Sequence, residues 1–477
     1  MNLKTKPYQH QEAAFSKLKD IKAGALFMDT GTGKSRTALE LIDYRLKYKC
    51  LNKVFWICPV STKKNLADDI KKHSNYSISY IESFKDEFIC IVGAETISLS
   101  DKYYSKLLNS ITLNSMLIID ESHLIKNPNA KRSQRILALR DKINYRIIMT
   151  GTPVTQGVWD LFTQMYFLHP GILGYNSFYS FAKNHLEYSK KYPGLIVRAH
   201  NIDYLTKKIN PYVYQIKKEE CLDLPEKSYQ VRYFELSLEH RLFYNDVRDI
   251  LFNEIDFENL KSVDIFKMIG YLHRVASGYI NAEIALKKYD FMSSKNKKIK
   301  FSYENLDRVK ILTEILSEIN LDENKCIIWH KYDSDLEAIE KQLKGLKYSK
   351  LNGKMSKIKK EIDLDRFQNG DNNILVSNIS TGSVGLNLQV ANYIIYYNNT
   401  FDYAKRYQSE DRIYRIGQNK NCHIIDIVAD NTIDIRVKES LDNKESLANS
   451  IKRAMDKIKN NKEYIGQFKK EFLNIED

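Results

Sequence analysis

A glycine-rich loop between an apolar strand and a helical segment is the feature that most restricts how this chain folds. The stretch Asp29–Ser35 reads DTGTGKS, follows the apolar run Ala25–Met28 and opens the helical pattern Arg36–Tyr44. Glycines let backbone N–H groups curl around a phosphate, and a helix N-terminus adds the positive end of its dipole. Lys34 is expected to reach the β- and γ-phosphates of a nucleotide, and the Ser35 hydroxyl to bind Mg²⁺.

The loop is shorter than the strict nucleotide-binding pattern. That pattern has a glycine five residues before Gly33, where this chain has Met28. The shortened form is typical of helicase-type loops, so the departure favours a helicase-type protein among those that bind nucleotides. The residues expected to surround the phosphates are Thr30, Gly31, Thr32, Gly33, Lys34 and Ser35.

Apolar runs followed by helical patterns occur in two separate parts of the chain. Strands that alternate with helices predict a parallel sheet covered by helices on both faces, so two α/β sheets are expected. Between residues 155 and 300 the strand pattern fades and helices are expected, as they are after Val437. The predicted strands are Ala25–Met28, Val54–Cys58, Phe88–Val92, Met116–Ile119, Arg146–Met149, Cys326–Trp329, Ile374–Val376, Tyr393–Tyr397 and His423–Val428.

An acidic pair follows the fourth predicted strand. Asp120 and Glu121 come directly after the apolar run Leu117–Ile119. Asp120 is expected to hold Mg²⁺ through its water shell, and Glu121 to orient and deprotonate the attacking water. A buried strand capped by a polar turn is the alternative, and the position of the pair after Lys34 disfavours it.

Two further elements extend this pattern. Thr150–Pro153 reads TGTP at the end of a strand, where it predicts an element that links nucleotide state to the rest of the protein. In the later run Gln408–Gln418, Arg412 and Arg415 are three residues apart and would share one face of a helix. Two guanidinium groups aimed at a γ-phosphate would stabilise the charge of phosphoryl transfer. A solvated basic helix face is the alternative.

Charge favours a polyanionic partner. The 74 Lys and Arg residues exceed the 60 Asp and Glu residues, which gives a net charge of +14. Lys and Arg displace the counterions condensed on nucleic-acid phosphates. The lysine-rich run Lys287–Lys300 is either a solvated linker or a loop that follows phosphates. The six cysteines form no CxxC pair, so reduced thiols are expected rather than a zinc site or disulfides.

Together these elements resemble a superfamily-two nucleic-acid motor, and specifically the Swi/Snf family of DNA translocases. The family's pattern is matched by Pro7–Gln9, Asp120–His123, Thr150–Pro153, Ser380–Leu388 and Gln408–Gln418, whose RIGQ ending is particularly specific. The Trp-Asn-Pro piece usual before the arginine element is absent, and Phe401–Tyr403 occupies its place.

The resemblance implies an α/β fold of two tandem RecA-like parallel-sheet lobes, with helical protrusions between them and a C-terminal helical brace. Four segments are expected. These are a first, ATP-binding lobe at 1–220 with a protrusion from about 155, a second protrusion and basic linker at 221–300, a second lobe at 301–437, and C-terminal helices at 438–477.

The resemblance also implies roles for single residues. Gln9 would read adenine, while Gln408, Arg412 and Arg415 would complete the hydrolytic site of Lys34, Ser35, Asp120 and Glu121. The coupling residues would be His123, Thr150 and Thr152. The residues that would contact DNA phosphates are Ser61 and Lys63 in the first lobe and Ser380 and Thr381 in the second.

The function implied is that of a DNA-dependent ATPase that uses ATP and Mg²⁺ to translocate on double-stranded DNA. A strand-separating DNA or RNA helicase in phage or bacterial replication, repair or restriction is one alternative. A nucleic-acid-binding scaffold with an inactive ATPase is another, disfavoured because Lys34, Asp120, Glu121, Arg412 and Arg415 are all present.

The expected setting is the cytoplasm of a bacterial or phage-infected cell. The reason is that a motor with no recognisable reader segment beside it resembles those of bacteriophages and bacterial mobile elements. A single-strand-binding protein or a nuclease would be a suitable partner. No apolar stretch reaches the roughly 18 residues of a membrane span, so no membrane association is expected. The expected phosphate-binding machinery begins near residue 7, which is expected to leave no room for a signal peptide.

Overall fold

The chain divides into two compact units, Met1–Asp223 and Leu224–Asp477. Each unit is built around one parallel sheet. The computed structural model describes residues 2–83, 85–154, 157–188, 196–253, 255, 262–278, 307–379, 386–445, 447–460 and 464–473.

The first unit contains a seven-stranded sheet in the order β3-β4-β2-β5-β6-β1-β9, with every neighbouring pair parallel. A separate antiparallel hairpin pairs β7 with β8. The strands of this unit are β1 Ala23–Met28, β2 Lys53–Cys58, β3 Ile78–Tyr80, β4 Ile89–Gly93, β5 Ser115–Asp120, β6 Tyr145–Met149, β7 Leu186–Tyr188, β8 Ile196–Ala199 and β9 Val213–Ile216.

Helices cover both faces of this sheet, which explains why its strands are apolar without alternation. In β1, Ala25 and Phe27 pack into the core on one face, while Leu26 and Met28 pack into the core on the other. The helices of this unit are α1 Gln9–Leu18, α2 Lys34–Tyr48, α3 Lys63–His73, α4 Ala94–Leu99, α5 Asp101–Ser110, α6 Lys131–Leu137, α7 Asp160–Leu168, α8 Pro170–Leu173, α9 Phe178–His185, α10 Ile202–Ile209 and α11 Lys218–Cys221.

The second unit contains a six-stranded parallel sheet in the order β10-β15-β14-β11-β13-β12. Its strands are β10 Lys227–Phe234, β11 Cys326–His330, β12 Tyr348–Leu351, β13 Ile374–Asn378, β14 Tyr393–Tyr396 and β15 Cys422–Ala429. Its helices are α12 Leu238–Asn253, α13 Ser262–Ala276, α14 Asp307–Glu318, α15 Asp333–Gln342, α16 Lys357–Gln368, α17 Tyr403–Glu410, α18 Ile433–Asp442, α19 Leu447–Asn460 and α20 Tyr464–Leu473.

The expected fold class is confirmed, since both units are parallel sheets flanked by helices. All nine predicted strands are present. The expectation that residues 155–300 lack strands is wrong, because β9 closes one edge of the first sheet and β10 forms one edge of the second. The segment 221–300, expected to be a helical protrusion and linker, therefore begins with a sheet strand. The remaining segment boundaries stay a prediction.

The lysine-rich run Lys287–Lys300 lies outside the described residues. Among the described helices, none is both long and apolar enough to cross a membrane. In the same part of the chain, no three His, Cys, Asp or Glu side chains are grouped so that they could hold a metal ion.

Candidate functional site

The glycine-rich loop lies at the carboxyl end of β1, directly before α2. Gly31 and Gly33 have φ angles of 85° and 88°, the left-handed region that glycine adopts without a steric penalty. The Lys34 ammonium donates to the backbone carbonyls of Met28 and Asp29, at 2.9 and 3.3 Å. The lysine side chain therefore folds back onto the backbone at the start of the loop.

Hydrogen bonds within the loop and from the helix α11 hold it in place. The Thr32 hydroxyl donates to the Asp29 carbonyl over 2.8 Å, and the Lys218 backbone N–H donates to the Asp29 carboxylate over 2.9 Å. A Cβ at Gly151 would lie 3.1 Å from the Thr30 backbone nitrogen. The TGTP element thus approaches the glycine-rich loop closely, which explains why a residue without a side chain stands at position 151.

The first turn of α1 contacts the loop through side chains that sequence reasoning missed. Gln11 Nε2 lies 3.0 Å and a His10 ring nitrogen 2.8 Å from the Thr32 carbonyl oxygen. Gln9, predicted to read adenine, is exposed on the same turn. The position of His10 and Gln11 directly after the Pro7–Gln9 motif was the available signal, but nothing in the sequence distinguishes them from solvated polar residues.

The acidic pair lies at the carboxyl end of β5. Glu121 has a φ angle of 52°, a left-handed conformation that is uncommon for a residue with a side chain. Its backbone N–H donates to the Asp120 carboxylate over 3.0 Å. Burial, and next the neighbouring Glu121 carboxylate, raise the pKa of Asp120 to about 7, while the Lys34 ammonium opposes the shift.

The predicted coupling residues meet at the Glu121 carboxylate. Glu121 Oε2 lies 3.3 Å from the Thr150 hydroxyl and 3.3 Å from His123 Nδ1. His123 Nδ1 is also 3.4 Å from the Thr150 hydroxyl, which accepts the Thr152 backbone N–H over 3.1 Å. The structure therefore brings together the acidic pair and the TGTP element, which are separate in the sequence.

A buried glutamine makes a second connection between these two elements. The Ser122 hydroxyl donates to Gln164 Oε1 over 2.6 Å, and Gln164 Nε2 donates to the Pro153 carbonyl over 2.8 Å. Gln164 is fully buried in the apolar helix α7. Sequence reasoning missed it because a single glutamine in an apolar helical pattern gives no indication of its partners.

The predicted nucleic-acid contacts of the first unit lie beside α3. Ser61 is exposed just before the helix. The Lys63 ammonium is held by both carboxylate oxygens of Glu82, at 2.8 and 2.7 Å, and lies 5.0 Å from the centre of the Tyr80 ring. A phosphate at this position would therefore compete with a carboxylate for the lysine. The corresponding residues of the second unit, Ser380 and Thr381, lie outside the described residues.

The expectation that Arg412 and Arg415 share a helix face is wrong. The helix α17 ends at Glu410, and both arginines lie in the turns that follow. Arg412 is only 6% exposed, whereas Arg415 is partly exposed and donates to the Asn387 side chain over 2.5 Å. Burial of every residue from 409 to 413 is more than one face of a helix provides.

A buried charge network fixes α17, the helix that carries the partly exposed Gln408. Arg406 donates to Glu410 over 2.8 Å and to Asp426 over 2.5 Å, and its guanidinium lies 3.5 Å from the centre of the Tyr396 ring. Although burial alone would lower the pKa of Arg406, the Asp426 carboxylate outweighs this and raises it. The segment Phe401–Tyr403, which stands in place of the Trp-Asn-Pro piece, helps to begin this helix, because the Asp402 side chain caps its N-terminus.

Comparison with known proteins identifies the family. The SNF2-related domain matches residues 8–289, and the helicase conserved C-terminal domain matches residues 307–417. The chain belongs to the SNF2-related family. The two matched regions contain the glycine-rich loop and acidic pair in the first unit, and the arginine element of the second.

Several curated relatives resemble the SNF2-related chain. YwqA of Bacillus subtilis, named as an ATP-dependent helicase/translocase, is 26% identical over 72% of this chain and 36% of its own length. An uncharacterized ATP-dependent helicase of Mycoplasma pneumoniae is 25% identical over 88% of this chain and 39% of its own. The mouse SWI/SNF-related matrix-associated actin-dependent regulator of chromatin subfamily A member 1 is 23% identical over 87% of this chain and 40% of its own length. The chain thus spans less than half the length of these relatives.

A solved structure supports the fold of the SNF2-related chain. The helicase domain of Hef from Pyrococcus furiosus matches with a TM-score of 0.57 and 16% sequence identity. The match covers 92% of this chain and 99% of that one. At this level of identity the likeness shows the fold alone.

Proposed function

We propose that this SNF2-related chain is a DNA-dependent ATPase that translocates along double-stranded DNA. The observation that carries the proposal is the meeting of the acidic pair with the TGTP element, which itself touches the glycine-rich loop. ATP hydrolysis coupled to motion requires a phosphate-binding loop and a carboxylate base. It also requires an element that contacts both and can change position with them.

In the proposed reaction, Lys34 exchanges its bonds to the Met28 and Asp29 carbonyls for bonds to the nucleotide phosphates. Glu121 orients the attacking water and takes its proton, and Thr150 and His123 hold the carboxylate in place.

The donor set also fits Mg²⁺, which prefers hydroxyl and carboxylate oxygens such as those of Ser35 and Asp120. The raised pKa of Asp120 supports this, because a cation would offset the cost of burying two adjacent carboxylates. When bound there, Mg²⁺ would neutralise phosphate charge. Arg412 and Arg415 are proposed to add positive charge during phosphoryl transfer.

Double-stranded DNA is the proposed track. The net charge of +14 supports a polyanionic partner. The names of YwqA and of the Mycoplasma helicase support a motor activity. The proposed location is the cytoplasm of a bacterial or phage-infected cell. A single-strand-binding protein or a nuclease is the proposed type of protein partner.

Triplex displacement tests translocation directly. A motor that tracks an intact duplex strips a third strand from it in an ATP-dependent manner and leaves a plain or forked duplex paired. Lys34→Ala is the matched control, because it should remove both DNA-stimulated ATP hydrolysis and displacement. Robust unwinding of a forked duplex without triplex displacement would contradict the proposal and favour a strand-separating helicase. Absence of ATP hydrolysis with any nucleic acid would favour a binding scaffold.

A further inference from the structure

The strand β10 forms one edge of the second sheet and is long for an edge strand. It has eight residues, and in the part of the chain that the structure describes it pairs with β15 alone. Two of its aromatic side chains, Tyr229 and Tyr233, are 60% and 58% exposed. The outer side of an edge strand presents backbone donors and acceptors that another strand can bind. The outer side of β10 is therefore a candidate interaction surface.

Alternate residues of β10 direct their backbone groups away from β15. The Glu226 and Phe234 carbonyls accept the backbone N–H groups of Cys422 and Asp430, both over 2.8 Å. Because neighbouring residues of a strand point their N–H and C=O groups to opposite sides, the even-numbered residues of β10 face β15. The residues whose backbone groups point to the outer side are Lys227, Tyr229, Val231 and Tyr233.

The sequence of β10 is similar when it is read in either direction. The segment 227–235 reads KSYQVRYFE, in which Tyr229 and Tyr233 lie at equal distances from Val231. We propose that a second copy of this chain adds its β10 to that of the first, antiparallel and centred on Val231. A two-fold interface requires such a surface, because each patch must be complementary to itself. The two six-stranded sheets would then form one continuous sheet.

The backbone groups of β10 fit this register. In an antiparallel pair, residues directly opposite each other exchange two N–H···O bonds at alternate positions. With Val231 opposite the partner's Val231, Tyr229 lies opposite the partner's Tyr233, and all three positions have outward backbone groups. A register centred on Tyr229 would instead place Tyr233 opposite the partner's Pro225, which has no N–H. The bonding pattern therefore favours Val231 as the centre.

The tyrosine side chains fit the same register. Residues opposite each other in an antiparallel pair lie on the same face of the sheet, so the rings of Tyr229 and the partner's Tyr233 would pack side by side. Aromatic pairs of this kind stabilise the association of two strands. The Tyr229 hydroxyl donates to Glu410 over 2.8 Å, which holds its ring on this face before a partner binds.

The charges along β10 also complement each other in this register. Lys227 would lie opposite the partner's Glu235, an exposed residue directly after the strand. On the other face, Gln230 would lie opposite the partner's Arg232, and the amide oxygen can accept from the guanidinium. No two like charges are placed opposite each other, and like charges in that position would oppose pairing.

Sedimentation equilibrium tests the association, which does not depend on the proposed function and is measured without ATP or nucleic acid. The wild type should approach twice the mass of one chain as its concentration rises. Val231→Pro removes the N–H at the centre of the interface from both copies, whereas the bonds from β10 to β15 use even-numbered residues. This variant should remain a monomer at concentrations at which the wild type is a dimer.

A charge reversal tests the register without changing the backbone. Glu235→Lys would place an ammonium group opposite the partner's Lys227 at both ends of the interface, and should weaken dimerisation about tenfold. Glu12→Lys is the matched control, because it makes the same change of charge at an exposed position on α1. The control should dimerise as the wild type does. Thermal melting verifies that each variant is folded.

Cysteine cross-linking tests the centre of the interface. Val231 would face its own counterpart at a Cα separation of about 5.5 Å, which a disulfide can span. Val231→Cys should therefore form a covalent dimer under a mild oxidant. Gln230→Cys is the control, because its counterpart would lie diagonally at about 7–8 Å and should give no more cross-linking than the wild type.

Three results would overturn the proposal. The first is a wild type that remains a monomer at every concentration. The second is a dimer that Val231→Pro and Glu235→Lys leave unchanged, which would place the interface elsewhere on the chain. The third is equal cross-linking at positions 230 and 231, which would exclude the register centred on Val231.

Discussion

The Thr150 hydroxyl donates a hydrogen bond to the Glu121 carboxylate over 3.3 Å, and so joins the ends of two neighbouring strands. Thr150 is fully buried and also accepts the Thr152 N–H. A change in the position of the carboxylate during hydrolysis would therefore alter a direct contact of the TGTP element.

Replacing Thr150 with valine retains its shape and removes the hydroxyl. We expect ATP turnover to fall about 10- to 100-fold, because a buried donor to a charged group contributes about 1.5–3 kcal/mol, while ATP affinity stays near that of the wild type. Steady-state hydrolysis at saturating ATP and DNA measures the effect. Thr163→Val is the matched control, since Thr163 is equally buried but donates to a backbone carbonyl. Equal losses of turnover in both variants would show a general effect of the lost hydroxyl.

Glu121→Gln should separate nucleotide binding from hydrolysis. The amide has the same shape but cannot accept a proton from water, so turnover should fall on the order of 10²- to 10⁴-fold while ATP remains bound. Lys34→Ala, in contrast, should weaken ATP binding itself. Equilibrium binding and single-turnover hydrolysis measure the two effects. Hydrolysis by Glu121→Gln at the wild-type rate would show that Glu121 is not the general base.

Apolar runs in the sequence predict the strands that are buried on both faces, but they do not predict the edge strand β10. Apart from Arg146, the five predicted strands of the first sheet consist of apolar residues, with cores on both sides. The edge strand Lys227–Phe234 has polar and aromatic residues, including the exposed Tyr229 and Tyr233, which apolar periodicity does not detect.

Within the candidate site, residues of a continuous motif were predictable and residues that act through contacts were not. Asp120 and Glu121 are recognisable because they directly follow an apolar strand that comes after the Lys34 loop in the sequence. Gln11 and Gln164 are recognisable only from the backbone carbonyls that they contact, those of Thr32 and Pro153. Long-range hydrogen bonds to the backbone leave no periodic signal in a sequence.

The carboxylate of Asp43 on α2 should make the stability of the first unit depend on pH. Although burial alone would raise the pKa of Asp43, hydrogen bonds from Lys47 and Tyr76, at 2.6 and 2.9 Å, outweigh it and lower the pKa below the ordinary 3.8. The folded protein then binds fewer protons than the unfolded chain. The contribution of Asp43 is therefore present above pH 3.8 and is lost as the pH falls through the lowered value.

We expect Asp43→Asn to lower the free energy of unfolding by about 1–3 kcal/mol at pH 7, with a smaller difference from the wild type below pH 3.8. A Trp329→Phe background isolates the first unit, because the two remaining tryptophans, Trp56 and Trp159, both lie in it. Denaturant unfolding followed by fluorescence then measures the difference. Asp203→Asn, an exposed change in the same unit, is the control. A difference that stays constant from pH 7 to pH 2 would contradict the prediction.

Arg412 and Arg415 should give different results when each is changed to alanine, because the structure places them in different surroundings. Arg415 is partly exposed and bonds to Asn387, so Arg415→Ala should lower DNA-stimulated ATP turnover on the order of 10³-fold without a change in melting temperature. Arg412 is buried, so its removal should lower both turnover and melting temperature. Lys405→Ala, which removes an exposed cation from α17, is the control and should change neither. Near-normal turnover in Arg415→Ala would show that this arginine is a solvated side chain and not part of the hydrolytic machinery.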